Sequence, residues 1–207
     1  LGGFVISAWG LATTNTCNNL SPMETLLLGS RLERIKQCIK KDYSTAISTT
    51  PITTFIFPGA GGVDDLILEL QNTVPNSIVI DWKAYIGNFL VAAYDSESVG
   101  EAIAELILGN DETILSSEQR IQNRSKLAAS GIHFVGISVG AFAANAAATN
   151  MYRQNPPVSN VHLTLLDPFC GRGIANSNYG KYNFGKYATT ALQILNTDDP
   201  VPTTNDP

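Results

Sequence analysis

Apolar and polar positions recur along this chain in two periods, near 3.6 and 2, and the switches between them lay out a series of elements. "SPMETLLLGSRLERIKQCIK" carries apolar residues at helical spacing behind Ser21, Pro22 and Glu24, a capping box with proline in the first turn, and predicts a helix over about 22–41. "ITTFIFPGAGG" is a β-branched and aromatic run cut off by proline and glycines, hence a buried strand entering a loop. "VDDLILELQNTV" reads as a short amphipathic helix, "SIVIDW" as a strand and "YIGNFLVAAYDSESVGEAIAELIL" as a longer helical stretch. There follow a helix over "SEQRIQNRSKLAAS", a strand "IHFVGI", a small-residue helix "VGAFAANAAATNMYRQ" and a strand "VHLTLLDPF". The segment 171–186, rich in glycine, asparagine and tyrosine, is a candidate mobile loop before a last strand, "ALQILNT". Strands alternating with helices predict an α/β fold, a mainly parallel sheet with helices on both faces. Repeats and low-complexity tracts are absent, so 1–207 reads as one domain, with 1–50 an extension bearing the capped helix and 51–207 the sheet core.

Composition narrows the partners. With 207 residues, 44% of them hydrophobic, the chain has the material for a sizeable core. A formal net charge of −5 and a pI near 4.9 provide no basic field, so neither nucleic acid nor an anionic membrane surface is expected. The longest apolar runs, such as "EAIAELILG", fall well short of the roughly 20 residues that span a bilayer, and no transmembrane segment is expected. Leu1 in place of Met, and "LGGFVISAWGLA" without a basic n-region, fit a processed or partial chain. The sequons "NLS" at Asn19 and "NRS" at Asn123 fit a secreted glycoprotein. Cysteines number three: Cys17 and Cys38 flank the first helix and could bridge, or remain buried thiols, while Cys170 is left as a free or interchain thiol. No cluster has metal-ligand spacing, and neither a metal nor an organic cofactor is expected.

Candidate chemistry centres on Gly136-Ile137-Ser138-Val139-Gly140. A strand that turns at once into a helix holds its middle residue in a strained conformation, and only glycine-sized neighbours let the turn close. Ser138 is therefore the candidate nucleophile, Gly136 and Gly140 its elbow glycines. Backbone N–H groups of Val139 and of Gly59, Ala60 or Gly61 in "FPGAGG" could converge on one developing oxyanion. No G-K-[ST] follows those glycines, which disfavours a nucleotide loop; an ordinary glycine turn is the other reading. Asp167, at the end of "VHLTLL", is placed to orient a histidine or to serve as a turn residue before Pro168, and Asp198 and Asp199 are alternative acids.

These residues resemble the pancreatic-lipase-like branch of the α/β-hydrolases. "IDWKAYIGNFLVAAYDSESVGEAIAELI" is similar to that branch's strand ending in Asp-Trp followed by a helix with Val-Gly, "IHFVGISVGAFAANAA" to its elbow segment, and "VHLTLLDPF" to its acid segment. The resemblance spans about Thr54 to Asp167 and implies Ser138 as nucleophile, Asp167 as acid, Val139 as oxyanion donor and an ester or lipid substrate. Ile137 stands where the family usually has histidine. The family's catalytic histidine follows the acid, whereas this chain's two histidines, His133 and His162, both precede Asp167. His133 lies on the strand feeding the elbow and His162 begins the next strand, so each is expected to be a structural or surface histidine. The resemblance therefore implies a carboxylic ester hydrolase whose base comes from a following segment or a second polypeptide. The alternatives are a lipase-derived protein that binds or stores a hydrophobic ligand, and a purely structural role.

Overall fold

The structure, a computed structural model, describes residues 28–88, 90–109, 129–154, 157–173 and 176–196. The element order is α1 (Leu28–Thr49), β1 (Thr54–Phe57), α2 (Asp65–Thr73), β2 (Ser77–Val79), α3 (Ala92–Leu108), β3 (Ile132–Ile137), α4 (Gly140–Tyr152), β4 (Val161–Leu166), α5 (Tyr179–Asn183) and β5 (Thr190–Ile194). The five strands form one sheet in the order β2-β1-β3-β4-β5, every pair parallel. This is an α/β fold, as the alternation of periods predicts.

Side chains alternate across the pleat, so β1 to β4 each feed two cores. Phe55, Phe57, Phe134, Leu163 and Leu165 are buried in the larger core, where α4 packs on β1, β3 and β4. The helix α3 packs between α4 and α1, so close to α4 that a Cβ on Gly100 would collide with the Ala143 carbonyl. On the opposite face Ile56 and Val135 meet Ile67 of α2 in a smaller cluster flanked by Ile137 and Leu166. Helices thus cover both faces. The edge strand β5 is exposed at all five positions, with Leu192 at 56% and Ile194 at 52%.

Three of the boundaries that depart from the sequence expectation have a visible cause. The helix α1 runs on to Thr49, because nothing breaks it before Pro51; Ser48 and Thr49 hydroxyls donate back to the Thr45 carbonyl at its end. Its expected start at 22 lies outside the described residues. The strand β2 stops at Val79 rather than reaching Trp82, since Asp81 N–H donates to the Tyr43 hydroxyl at 2.7 Å and the chain turns into a 3₁₀ segment at Lys83–Tyr85. The helix α3 starts at Ala92 rather than near Tyr85. Asn88 makes a turn there, accepting from Leu90 N–H with its side chain and from Val91 and Ala92 N–H with its carbonyl. Of the helix expected over 117–130, only Ala129 and Ser130 are among the described residues. No helix among the described residues is long and apolar enough to cross a membrane.

The chain passes from β1 to β2 on one side and returns to β3 on the other. The strand order therefore reverses between β1 and β3, and their carboxyl ends open a crevice. Phe57 and Gly136 are paired at that end, so the loops after β1 and β3 leave side by side.

Candidate active site

Ser138 follows β3 and immediately precedes the first turn of α4. It is a non-glycine residue at φ +52°, a left-handed conformation that costs an L-residue on the order of 1–2 kcal/mol. Surroundings over-determine it. Ser138 N–H donates to the Leu166 carbonyl at 3.0 Å, and its carbonyl accepts from Ala141 and Phe169 N–H, both at 3.1 Å. The elbow glycines are required by close approach. A Cβ on Gly136 would stand 2.6 Å from Ala141 Cα, and one on Gly140 would collide with the Phe57 carbonyl.

The loop after β1 lies against the serine. A Cβ on Gly59 would meet Ser138 Cβ at 3.1 Å and its Oγ at 3.7 Å, so a side chain there would crowd the serine. Gly62, at φ +78°, closes the turn by donating its N–H to the Gly59 carbonyl at 3.0 Å. Val139 is buried, and among the described residues its N–H meets no acceptor. First-turn N–H groups are orphans of helix geometry, and with the positive end of the α4 dipole behind them they favour negative charge.

Asp167 leaves β4, the strand beside β3, one residue after Leu166, which is paired with Ile137. It too has a positive φ, +46°. Its N–H donates to the Ile194 carbonyl at 2.7 Å, and its Oδ1 accepts from Asn196 N–H at 3.4 Å, so β5 and the residues just after it position the carboxylate. Both Ser138 and Asp167 are half-buried. Asp198 and Asp199 lie outside the described residues.

The sheet brings together Ser138, Val139, Asp167 and the Gly59, Ala60 and Gly61 loop at one end, and it keeps both histidines away. His133 precedes Ser138 by five strand residues, about 16 Å along the strand. Its Nε2 lies 2.8 Å from Thr164 Oγ1. Burial, and secondarily the charge of His162, holds its pKa below the ordinary histidine value. His162 is bound between Thr190 Oγ1 at 2.6 Å and Asn160 Oδ1 at 2.9 Å. In a parallel sheet all strands point the same way, so both rings sit at the end opposite the serine.

Cys170 is 3% exposed, its thiol donating to the Pro168 carbonyl at 3.6 Å and packing where Gly180 lacks a side chain. Cys38 is buried on α1, and Cys17 and the sequons at Asn19 and Asn123 lie outside the described residues.

The segment 171–186, expected to be mobile, is pinned at its described residues. Arg172 donates to Glu97 of α3 through Nε at 3.0 Å and Nη2 at 2.6 Å, with its guanidinium between the rings of Tyr94 and Tyr179, 4.5 and 4.8 Å from their centroids. Phe142 of α4 meets Phe184 edge-on at 5.1 Å and stacks on Tyr179 at 5.6 Å, and Asn145 Oδ1 accepts from Gly185 N–H.

Two supports escaped the sequence reading. The indole N–H of Trp82 donates to the Pro58 carbonyl at 2.9 Å, and the Ser96 hydroxyl sits in the first turn of α4, donating to the Val139 carbonyl and accepting from Ala143 N–H. A signal for the second was present: "DSES" interrupts an apolar helical stripe, and Asp95, Ser96 and Ser98 are all buried. Among the described residues no group of His, Cys, Asp and Glu side chains could hold a metal ion. No family model, no curated protein and no solved structure matches this chain.

Proposed function

We propose that this chain carries the serine site of a carboxylic ester hydrolase on an α/β-hydrolase fold of the pancreatic-lipase-like branch. The observation that carries the reading is Ser138: a non-glycine residue held at φ +52° in a strand-to-helix turn at the strand-order reversal, with Gly59 packed against its side chain. Stored strain of this kind clusters at functional sites, and a packing turn has no need of it.

In the proposed reaction Ser138 Oγ bonds to the ester carbonyl carbon while its proton passes to an imidazole. The carbonyl oxygen becomes an oxyanion facing the N–H groups of Val139 and of the loop Gly59, Ala60 and Gly61. The C–O bond to the alcohol then breaks, the imidazolium returns its proton to the departing alkoxide, and water releases the acid from the acyl-serine by the same steps. Asp167 holds the imidazole and stabilises its cation. That imidazole is not among the 207 residues, whose two histidines are bonded at the far end of the sheet. It reaches the site from a following segment or a second polypeptide. The exposed strand β5, whose Ile194 carbonyl holds Asp167, offers the open approach. A secreted setting, with glycans at Asn19 or Asn123, belongs to the same proposal.

The second reading, binding of a hydrophobic ester or lipid without hydrolysis, draws on the bonded state of both histidines. A fluorophosphonate probe with peptide mapping separates the two. Label on Ser138 in the presence of a histidine-bearing partner, absent in Ser138→Ala, supports the hydrolase. Ligand that copurifies with unlabelled protein supports binding alone.

A further inference from the structure

A trans peptide is flat, with its C=O and N–H pointing to opposite sides, so a hydrogen bond that grips the oxygen also aims the N–H. Around Ser138 three such peptides are gripped. The Ser138 carbonyl is held by Ala141 and Phe169 N–H, which aims Val139 N–H; the Gly59 carbonyl is held by Gly62 N–H, which aims Ala60 N–H. Both grips are made by backbone. The third is made by a side chain 24 residues along the chain: the fully buried Trp82 donates its indole N–H to the Pro58 carbonyl at 2.9 Å, on the peptide that carries Gly59 N–H. The next residue braces the other end of the turn, since the stem of Lys83 fills the space where Gly62 lacks a side chain.

We infer that Trp82 is a positioning residue for the oxyanion pocket, acting through Pro58 to set where the N–H groups of Gly59, Ala60 and Gly61 point relative to Ser138 Oγ. The inference rests on the reading of Ser138 as a nucleophile. Indole supplies one donor and no acceptor, so the contact has a single polarity, and a phenyl ring of similar bulk cannot make it. Drawing on the Pro58 oxygen also polarises the Gly59 N–H on the same peptide, strengthening it as a donor.

Phenylboronic acid tests this without requiring turnover. Ser138 Oγ bonds to the trigonal boron, the serine proton leaves to solvent, and a tetrahedral boronate anion places one hydroxyl where an oxyanion would sit. In the wild-type protein, titration followed by amide NMR is expected to shift Val139 together with Gly59, Ala60 and Gly61. In Trp82→Phe the Val139 shift persists, the loop shifts collapse and boronate affinity falls about 10- to 100-fold, a part of what losing a whole oxyanion donor costs. If Trp82→Phe does not fold, 3-benzothienylalanine at position 82 keeps the indole shape with sulfur in place of N–H, and is expected to give the same loss. 7-Azatryptophan, which keeps the N–H, is expected to restore wild-type behaviour. Wild-type affinity and loop shifts in the variants lacking the N–H overturn the role of Trp82. No shift at Val139 in the wild-type protein removes the nucleophile reading instead, and this inference with it.

Discussion

Ser138 at φ +52° and Asp167 at φ +46°, like Asn76 and Asn160, hold a left-handed conformation that glycine adopts without steric cost. If Ser138 is kept for chemistry rather than for folding, Ser138→Gly should raise stability by about 0.5–1 kcal/mol while removing all reaction with a phosphonate probe. Denaturant midpoints beside probe labelling check both halves. A second residue-scale prediction concerns His133, whose folded pKa lies below its unfolded value because burial disfavours the cation. The unfolded chain then binds more protons near pH 6.5, so the contribution is present above that pH and lost as pH falls through the folded pKa. The melting temperature should decline on acidification from pH 7 to pH 5, and His133→Gln should flatten that decline. At this scale the serine was legible because two glycines at fixed spacing announce a tight turn. The Trp82 bond to Pro58 was not, because 24 residues separate its ends and nothing local marks the pairing.

Among the elements, the strands were the most legible: "IHFVGI" ends where β3 ends, and "VHLTLLDPF" starts where β4 starts, though β4 stops at Leu166, before Asp167 and Pro168. Apolar runs bounded by glycine, asparagine or proline carry that signal by themselves. Other ends were less so: α1 runs past its expected stop because nothing breaks it before Pro51, α3 starts late at the Asn88 turn, and β2 stops early where a tertiary partner, Tyr43, takes the Asp81 N–H. The loop 171–186 misleads for the same reason. Its composition suggests mobility, while an ion pair, two ring faces and an aromatic cluster hold its described residues to α3 and α4. Arg172→Ala should therefore cost about 2 kcal/mol, since it leaves a largely buried Glu97 without its cation and removes two cation–π contacts. Limited proteolysis should then cut within 171–186 in the variant and spare the parent protein. Equal resistance in both would show that the aromatic cluster alone pins the loop.

In the whole molecule, a parallel sheet separates two kinds of residue that a triad needs together. Serine, acid and glycine loop gather at the carboxyl ends beside the strand-order reversal, while the two histidines face each other across β3 and β4 at the amino ends. Sheet polarity makes this separation unavoidable, and it was readable in advance from the position of each histidine within its strand. What the sequence could not convey is that the acid's side of the sheet is open, with every residue of β5 exposed. A histidine-bearing following segment or second polypeptide should accordingly appear in the intact mass of native material. The most direct test supplies the missing ring as a small molecule: the rate at which a fluorophosphonate labels Ser138 in the isolated 207-residue chain, measured against added imidazole. Labelling is expected to be slow alone, to rise with imidazole concentration, and to rise less in Asp167→Asn, which can no longer orient the ring. Labelling that is fast without imidazole and indifferent to it, or that falls on a residue other than Ser138, would mean that Ser138 is not a nucleophile waiting for an outside base.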